Sequence, residues 1–286
     1  MKIGVQNYCN GLSLRPMNSK VFASLIILLL PFTVKSQDLC NCPSQAPVGK
    51  GTMYVAVGYN LDYFSKSDIR FRDHGVDHYD VTFHDVTADD RPGLKDVFHQ
   101  DISIPQYSFR IGYYFNKKKD WGIEINYDHA KYVVDHGQTV HMTGNIRGVE
   151  YDTDTIIGGS SFLDYEHTNG ANFAMMNALR RVSFIHSKNN LHWLSAVGKA
   201  GVGFVYPRTD VTFLGAHRND HFHVAGYIVG LDVGIRYDFL KHFFFETSGK
   251  GAFVNYTDVL LPETARGNHH FWSFEYIMTI GFQFNI

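Results

Sequence analysis

The chain has 286 residues, 44% hydrophobic and 15% aromatic, with 26 basic against 28 acidic residues and a formal net charge of −2. Nucleic-acid binding calls for a basic patch or stripe, which this balance does not supply, so that class is set aside. Cysteine is scarce, at three residues.

The first segment with a pattern is near the start. Lys20 precedes an apolar run from Val21 to Leu30, which continues through Pro31, Phe32 and Val34 to Ser36. A positive residue, a short apolar core and a small residue at its end are the parts of a secretory signal peptide. The run falls short of the about 20 apolar residues of a transmembrane helix. Residues 1–36 are therefore read as a signal peptide cut after Val34-Lys35-Ser36, with Met17 as an alternative start that leaves residues 1–16 as an artefact. The exported chain would be Gln37–Ile286. Taking Lys2, Arg15, Lys20 and Lys35 from the 26 basic residues leaves 22 against 28 acidic ones, a net charge of −6. Residues 37–51 are expected to form a short periplasmic segment. Its Cys40 and Cys42 form either a strained disulfide or two free thiols, and nothing supplies the other ligands of a zinc site.

From residue 52 to 286 the dominant signal is a period of two, the period of a β-strand. Met53, Val55, Val57, Tyr59, Leu61 and Tyr63 alternate with Ala56, Gly58, Asn60 and Asp62. Tyr107, Phe109, Ile111, Tyr113 and Phe115 alternate with Ser108, Arg110 and Gly112, and Trp121, Ile123, Ile125 and Tyr127 with Gly122, Glu124, Asn126 and Asp128. Segments 172–186, 191–206 and 242–256 alternate less cleanly. Between the last two, Tyr227 to Phe239 alternates with Gly226, Gly230, Asp232, Gly234, Arg236 and Asp238. At the end, Tyr276, Met278, Ile280, Phe282, Phe284 and Ile286 face one way, and Thr279, Gly281, Gln283 and Asn285 the other.

These eight segments are joined by connections of two kinds. Residues 116–120, 186–190 and 240–241 are short and polar, whereas 65–103, 135–170, 207–222 and 258–268 are long and rich in Gly, Asp and His. Short and long alternate, as an up-and-down antiparallel β-barrel with both ends on one side of a membrane requires. The expected fold is all-β: a transmembrane barrel of eight strands with long extracellular loops. Ten strands is the second count, since Tyr79-Asp80-Val81-Thr82-Phe83 also alternates and could be an extra hairpin or two more barrel strands. Phe and Tyr together number 40, and many sit near strand ends, where aromatic girdles lie.

With this strand pattern, the signal peptide and the loop alternation, residues 52–286 resemble the superfamily of small outer-membrane β-barrel proteins. The Ser36–Gln37 junction looks like those of Bacteroidota exports. The resemblance implies a Gram-negative outer membrane as location. It also implies outer-membrane lipid and lipopolysaccharide as surroundings, and the barrel-assembly machinery as a partner. It names no surface ligand and no single activity, because the superfamily spans pores, adhesins, anchors and lipid-modifying enzymes.

The inward parity of the strands places Asp62, Arg110, Glu124, Asp128, Lys199, Asp232, Arg236, Glu246, Lys250 and Glu275 in the lumen. An eight-stranded barrel is only wide enough for side chains, so these charges are expected to pair and plug it. In a wider barrel they would line an ion path. His269, Ser273 and Glu275 share one face of the last strand and are the parts of an activated serine nucleophile. Lipid A deacylases resemble this in carrying Ser, His and an acid on a barrel. Yet His269 and Ser273 are about 13 Å apart along an extended strand, so direct contact needs a bulge or another histidine. The first long connection carries His74, His78, His84 and His99 beside Asp73, Asp77, Asp85, Asp89 and Asp90. Imidazoles and carboxylates can hold zinc, copper or calcium, but no spacing here matches a tight ligand motif. Gly158-Gly159-Ser160-Ser161 reads as a flexible loop, and Gly198, Gly201 and Gly203 as lumen-facing close packing. The expectation is a non-catalytic barrel without cofactor, acting through its surface loops in ligand or partner binding or envelope anchoring, with a narrow pore or a transporter of small solutes or hydrophobic compounds second and a lipid A-type acyl hydrolase third.

Overall fold

The computed structural model describes residues 51–75, 77–91, 106–115, 120–158, 162–219 and 221–286. The signal-peptide, cleavage-site and Cys40/Cys42 readings lie outside the described residues, as does His99. Every regular element among those described is a strand: β1 (Thr52–Phe64), β2 (Ser67–Asp73), β3 (Tyr79–Val86), β4 (Ala88–Asp89), β5 (Tyr107–Tyr114), β6 (Trp121–His129), β7 (Tyr132–Val134), β8 (Thr139–Ile146), β9 (Val149–Ile156), β10 (Leu163–His167), β11 (Phe173–His186), β12 (His192–Val205), β13 (Asp210–Phe213), β14 (Ala216–Arg218), β15 (Gly226–Phe239), β16 (Phe243–Leu260) and β17 (Arg266–Asn285).

Eight of these, the segments marked by the two-residue period, pair antiparallel in the order β1-β5-β6-β11-β12-β15-β16-β17. β17 pairs back to β1 from Thr52 to Phe64, so every strand of this ring has a neighbour on both sides. The alternation has the opposite sense to that of a protein in water. Leu231 and Val233 are 65% and 63% exposed, while Arg236 and Glu275 are 0% exposed. Most apolar side chains of these strands point out of the ring and most charged ones into it; Arg180, exposed over Trp121, is an exception. At one end, the turn end, the connections are short. Leu240 and Lys241 (φ 53° and 67°) take the left-handed turn between β15 and β16, and Gly51 and Ile286 exchange two backbone hydrogen bonds.

The opposite end corrects the expectation of polar loops. Strands β2–β4, β8–β10, β13 and β14 fall inside the long connections, with β7 just before the second. β2 continues upward from β1 and pairs with Arg266–His269 of β17; β3, β8 and β9 follow it in the same sheet. The Tyr79–Phe83 run is thus a hairpin above the ring. It does not lie between β1 and β5, which pair directly, so it adds no strand to the wall. A second sheet, ordered β14-β13-β10-β7-β4, faces the first. Between the two, Phe213 lies 5.3 Å from Phe71, 4.9 Å from Tyr79 and 6.0 Å from Phe83, all nearly edge-on. Burying each such ring is worth about 1.5–3 kcal/mol, which offsets the entropy of ordering segments this polar. Arg147–Gly148 (φ 52°, 84°) and Leu214–Gly215 (φ 50°, 83°) close the β8–β9 and β13–β14 hairpins. Left-handed values at both central residues make the primed turns that match strand twist. We call this two-sheet body the cap.

Candidate functional site

The inward face of the ring brings all ten lumen residues named above into a buried polar interior, and stacks them in three tiers. Nearest the cap, Lys250 bonds Asp128 (2.5 Å) and Glu275 (2.6 Å), and Asp62 lies beside them. In the middle, Arg110 contacts Glu124 (2.8 Å) and Asp232 (3.2 Å), and Lys199 contacts Glu124 (2.9 Å) and Glu246 (2.7 Å). At the turn end, Arg181 and Arg236 share Asp238. Counting these side chains, the formal charge runs from −2 through −1 to +1 from cap to turn end.

The lumen charges therefore pair, with one exception. Asp62 is served by amides, accepting from Asn60 Nδ2 (2.8 Å) and Gln106 Nε2 (3.2 Å). Its backbone N–H donates to Asp90 Oδ2 (2.8 Å), and among the described residues the β1–β5 pairing ends at Gly58 opposite Ser108. Burial lifts the Asp90 carboxyl to about 6, against hydrogen bonds from Asp62 and Gln106 that favour its charged form.

The turn-end tier is closed by rings. The Arg236 guanidinium carbon sits 3.3 Å from the Phe244 ring centroid and 4.9 Å from that of Tyr54. Each ring lies over a glycine directly opposite it on the neighbouring strand: Tyr54 over Gly112 and Phe244 over Gly281. A Cβ at either glycine would come within 2.1 Å of its ring. Tyr54, Arg181 and Gln106 are parts of the interior that sequence reading missed, while Asn60 and Asp238 carried the right parity but were not named among the lumen residues. Parity was the available signal, since Tyr54 shares the face of Ala56, and Asp238 that of Arg236. Of the three glycines read as close packing, Gly201 and Gly203 fit, with a Cβ meeting Asn177 and Ala174 within 2.0 Å. Gly198 does not fit, having open space around it.

The nucleophile constellation does not assemble. His269, Ser273 and Glu275 are all buried on the inward face. His269 Nδ1 pairs with Ser67 Oγ (3.3 Å) and its Nε2 lies 3.5 Å from His167 Nε2. Glu275 is engaged by Lys250, and Ser273 Oγ has no hydrogen-bond partner. No base therefore reaches the serine, and the groups face away from the apolar outer wall. His269 belongs instead to a buried aromatic layer between ring and cap. There Tyr256 stacks on it at 4.7 Å, and His167 from β10 meets Tyr165 OH (3.2 Å) and Thr209 Oγ1 (3.1 Å).

No family model matches the chain, and no curated protein matches it. Among solved structures the chain is similar to Ail, the attachment invasion locus protein of Yersinia pestis, at 12% identity and a TM-score of 0.30, over 82% of this chain and all of that one. It is similar to Neisserial surface protein A at 8% identity and 0.33, over 84% of this chain and all of that one. The outer membrane protein OprG from Pseudomonas aeruginosa matches at 12% identity and 0.38, over 85% of this chain and all of that one. At scores this low, function is to be sought in the chain's own geometry.

Proposed function

We propose that the ring is an eight-stranded transmembrane β-barrel of a Gram-negative outer membrane, and that the protein acts through the cap it displays at the cell surface. One observation carries this reading: the outer wall is mostly apolar on all sides while the interior is charged and paired. In water that wall would be an exposed apolar surface far larger than a soluble monomer carries. In a bilayer, apolar side chains to lipid and polar ones to the lumen are what a spanning strand requires. Lipid and lipopolysaccharide are then its surroundings, the barrel-assembly machinery inserts it, and residues 1–36 are its export signal.

The paired tiers argue against traffic through the interior. Each ion pair fills the narrow bore of an eight-stranded barrel, and breaking one leaves an uncompensated buried charge. The work falls to the cap, as binding of a surface partner or as anchoring of the envelope, without catalysis. The test is threefold. Fractionation should place the protein in the outer membrane, with Gln37 as its first residue. Unheated samples should migrate differently from boiled ones in SDS. Planar bilayers should show no defined channel. Recovery as a soluble periplasmic protein without a heat shift overturns the barrel. Discrete conductance altered by Arg236→Ala or Glu246→Ala overturns the closed interior and favours a narrow pore.

A further inference from the structure

The outer face of the cap's first sheet carries two histidines from segments far apart in sequence. His84 on β3 and His141 on β8 are directly opposite each other, with rings stacked at 6.0 Å. Both are open to solvent. Each has one ring nitrogen on a carboxylate. His84 Nδ1 lies 3.4 Å from Asp68 on β2, and His141 Nδ1 lies 3.0 Å from Asp154 on β9. A row of carboxylate, imidazole, imidazole and carboxylate thus crosses four adjacent strands.

The second nitrogens turn toward one spot. His84 Nε2 meets Thr143 Oγ1 at 2.8 Å, and His141 Nε2 meets Asp152 Oδ1 at 2.9 Å. Thr143 and Asp152 are themselves directly opposite across β8 and β9. We propose that His84 Nε2, His141 Nε2 and Asp152 form a binding site for a divalent transition-metal cation of the Zn2+ or Cu2+ kind, oriented by Asp68 and Asp154.

Three arguments support it. Opposed residues on antiparallel strands hold their Cβ atoms about 4.5–5.5 Å apart, close enough for two imidazoles to share one ion. Metal-binding imidazoles donate their other N–H to a carboxylate, which fixes the tautomer and strengthens the ligand. Here His141 has that hydrogen bond, to Asp154, and Asp68 stands 3.4 Å from His84 Nδ1. His141 stands between two carboxylates, Asp152 at Nε2 and Asp154 at Nδ1; as an imidazolium it donates to both, and as a neutral imidazole, the form that binds a metal, it donates to one. An ion between Nε2 and Asp152 satisfies both, and offsets the charge of three carboxylates gathered around two rings. Among the described residues, no three His, Cys, Asp or Glu side chains already stand at coordinating geometry. Ion entry therefore draws His84 and His141 together by ring rotation. Imidazole ligands select zinc and copper over calcium, which prefers oxygen. The site lies on the cap and does not depend on what surrounds the ring.

The experiment is calorimetric titration of the full, folded chain in detergent with Zn2+, then Cu2+, in a non-chelating buffer. A heat-shift gel on each variant verifies folding. His84→Ala and His141→Ala should each remove one equivalent of binding or weaken it at least about tenfold, and Asp154→Asn should weaken it about 10–100-fold as an orienting residue. His217→Ala and His223→Ala should bind like the parent, and Ca2+ should not compete. Retention of that equivalent in the folded His84→Ala/His141→Ala protein overturns the proposal, as does absence of binding by the parent chain.

Discussion

Asp62 lies directly opposite Glu275 across the β1–β17 ladder, and the one cation of that tier, Lys250, bonds to the Glu275 side. Like charges facing each other across strands cost about 0.2–1 kcal/mol. The tier tolerates the pair because amides hold Asp62 while Lys250 neutralises part of the remaining charge. Lys250→Met should therefore strand Asp128 and Glu275 and cost about 3–5 kcal/mol, read from the urea midpoint of the protein refolded in detergent. A midpoint equal to the parent's would mean that these charges are hydrated and that the tier is open to water. Asp62→Asn, which removes one opposed charge, should leave the midpoint unchanged or raise it.

The ring-over-glycine packing at the turn end makes a steric prediction. Gly281→Ala should cost about 1–3 kcal/mol, because Phe244 must leave its well or the strands must part. The comparison is Gly198→Ala, where a Cβ meets nothing within 4 Å; that change should stay within about 0.5 kcal/mol of the parent. Equal effects at the two glycines would refute the packing account.

Arg236 offers a test of shape against charge. Arg236→Lys retains the cation but loses the planar group lying on Phe244 and the bond to Gln283 Oε1 (3.2 Å). A loss of about 1–2 kcal/mol is expected, on the scale of a desolvated cation–aromatic contact. Full retention of stability by lysine would reduce the role of Arg236 to its charge.

The cap should loosen in acid. Burial pushes the His167 imidazole down to about 3, against an ordinary 6.5. The folded state then resists a proton that the unfolded state accepts. The contribution is fully present above pH 6.5 and is lost as pH falls toward 3. Tyr165 and Thr209 hydrogen-bond this ring, while Tyr256 and His269 pack on it, and among the described residues no carboxylate bonds it to stabilise a charge. At pH 5 the loss is about 2 kcal/mol, and amide exchange in β10 and β13 should speed up relative to pH 7.5. His167→Gln should flatten this dependence; an unchanged slope would assign it elsewhere.

The ring was legible because each of its strands repeats one instruction many times. From Phe271 to Phe284 in β17, inward and outward residues alternate without a break, and a one-residue slip would turn charges to the outside. The cap was not legible, for two physical reasons. Its strands are short, with three residues in β7 and four in β13, too few for a period to show. Its pairings also join distant segments, such as β10 with both β13 and β7. β8 did carry a signal: Val140, Met142 and Ile146 face inward between His141, Thr143 and Asn145, but the polar half resembles a loop. For the interior, Arg110, Glu124 and Lys250 are buried on the strand face of their polar parity. Parity could not show which partner each would take, because neighbours in the ring are set by closure and tilt as well as by order along the chain. His269 and Ser273 illustrate the limit, sharing a face while belonging to different layers.

β17 is wall over most of its length and scaffold at its upper end, where Arg266–His269 carry β2 and the sheet beyond it. A pull on the cap is thus delivered along the axis of a strand clamped on both flanks, by β1 from Thr52 to Phe64 and by β16 from Phe243 to Leu260. Loaded this way the backbone hydrogen bonds stretch together in shear, whereas a peeled hairpin releases them one at a time. Single-molecule pulling through residues of β3 would measure this as force, and a high unfolding force is the expected outcome.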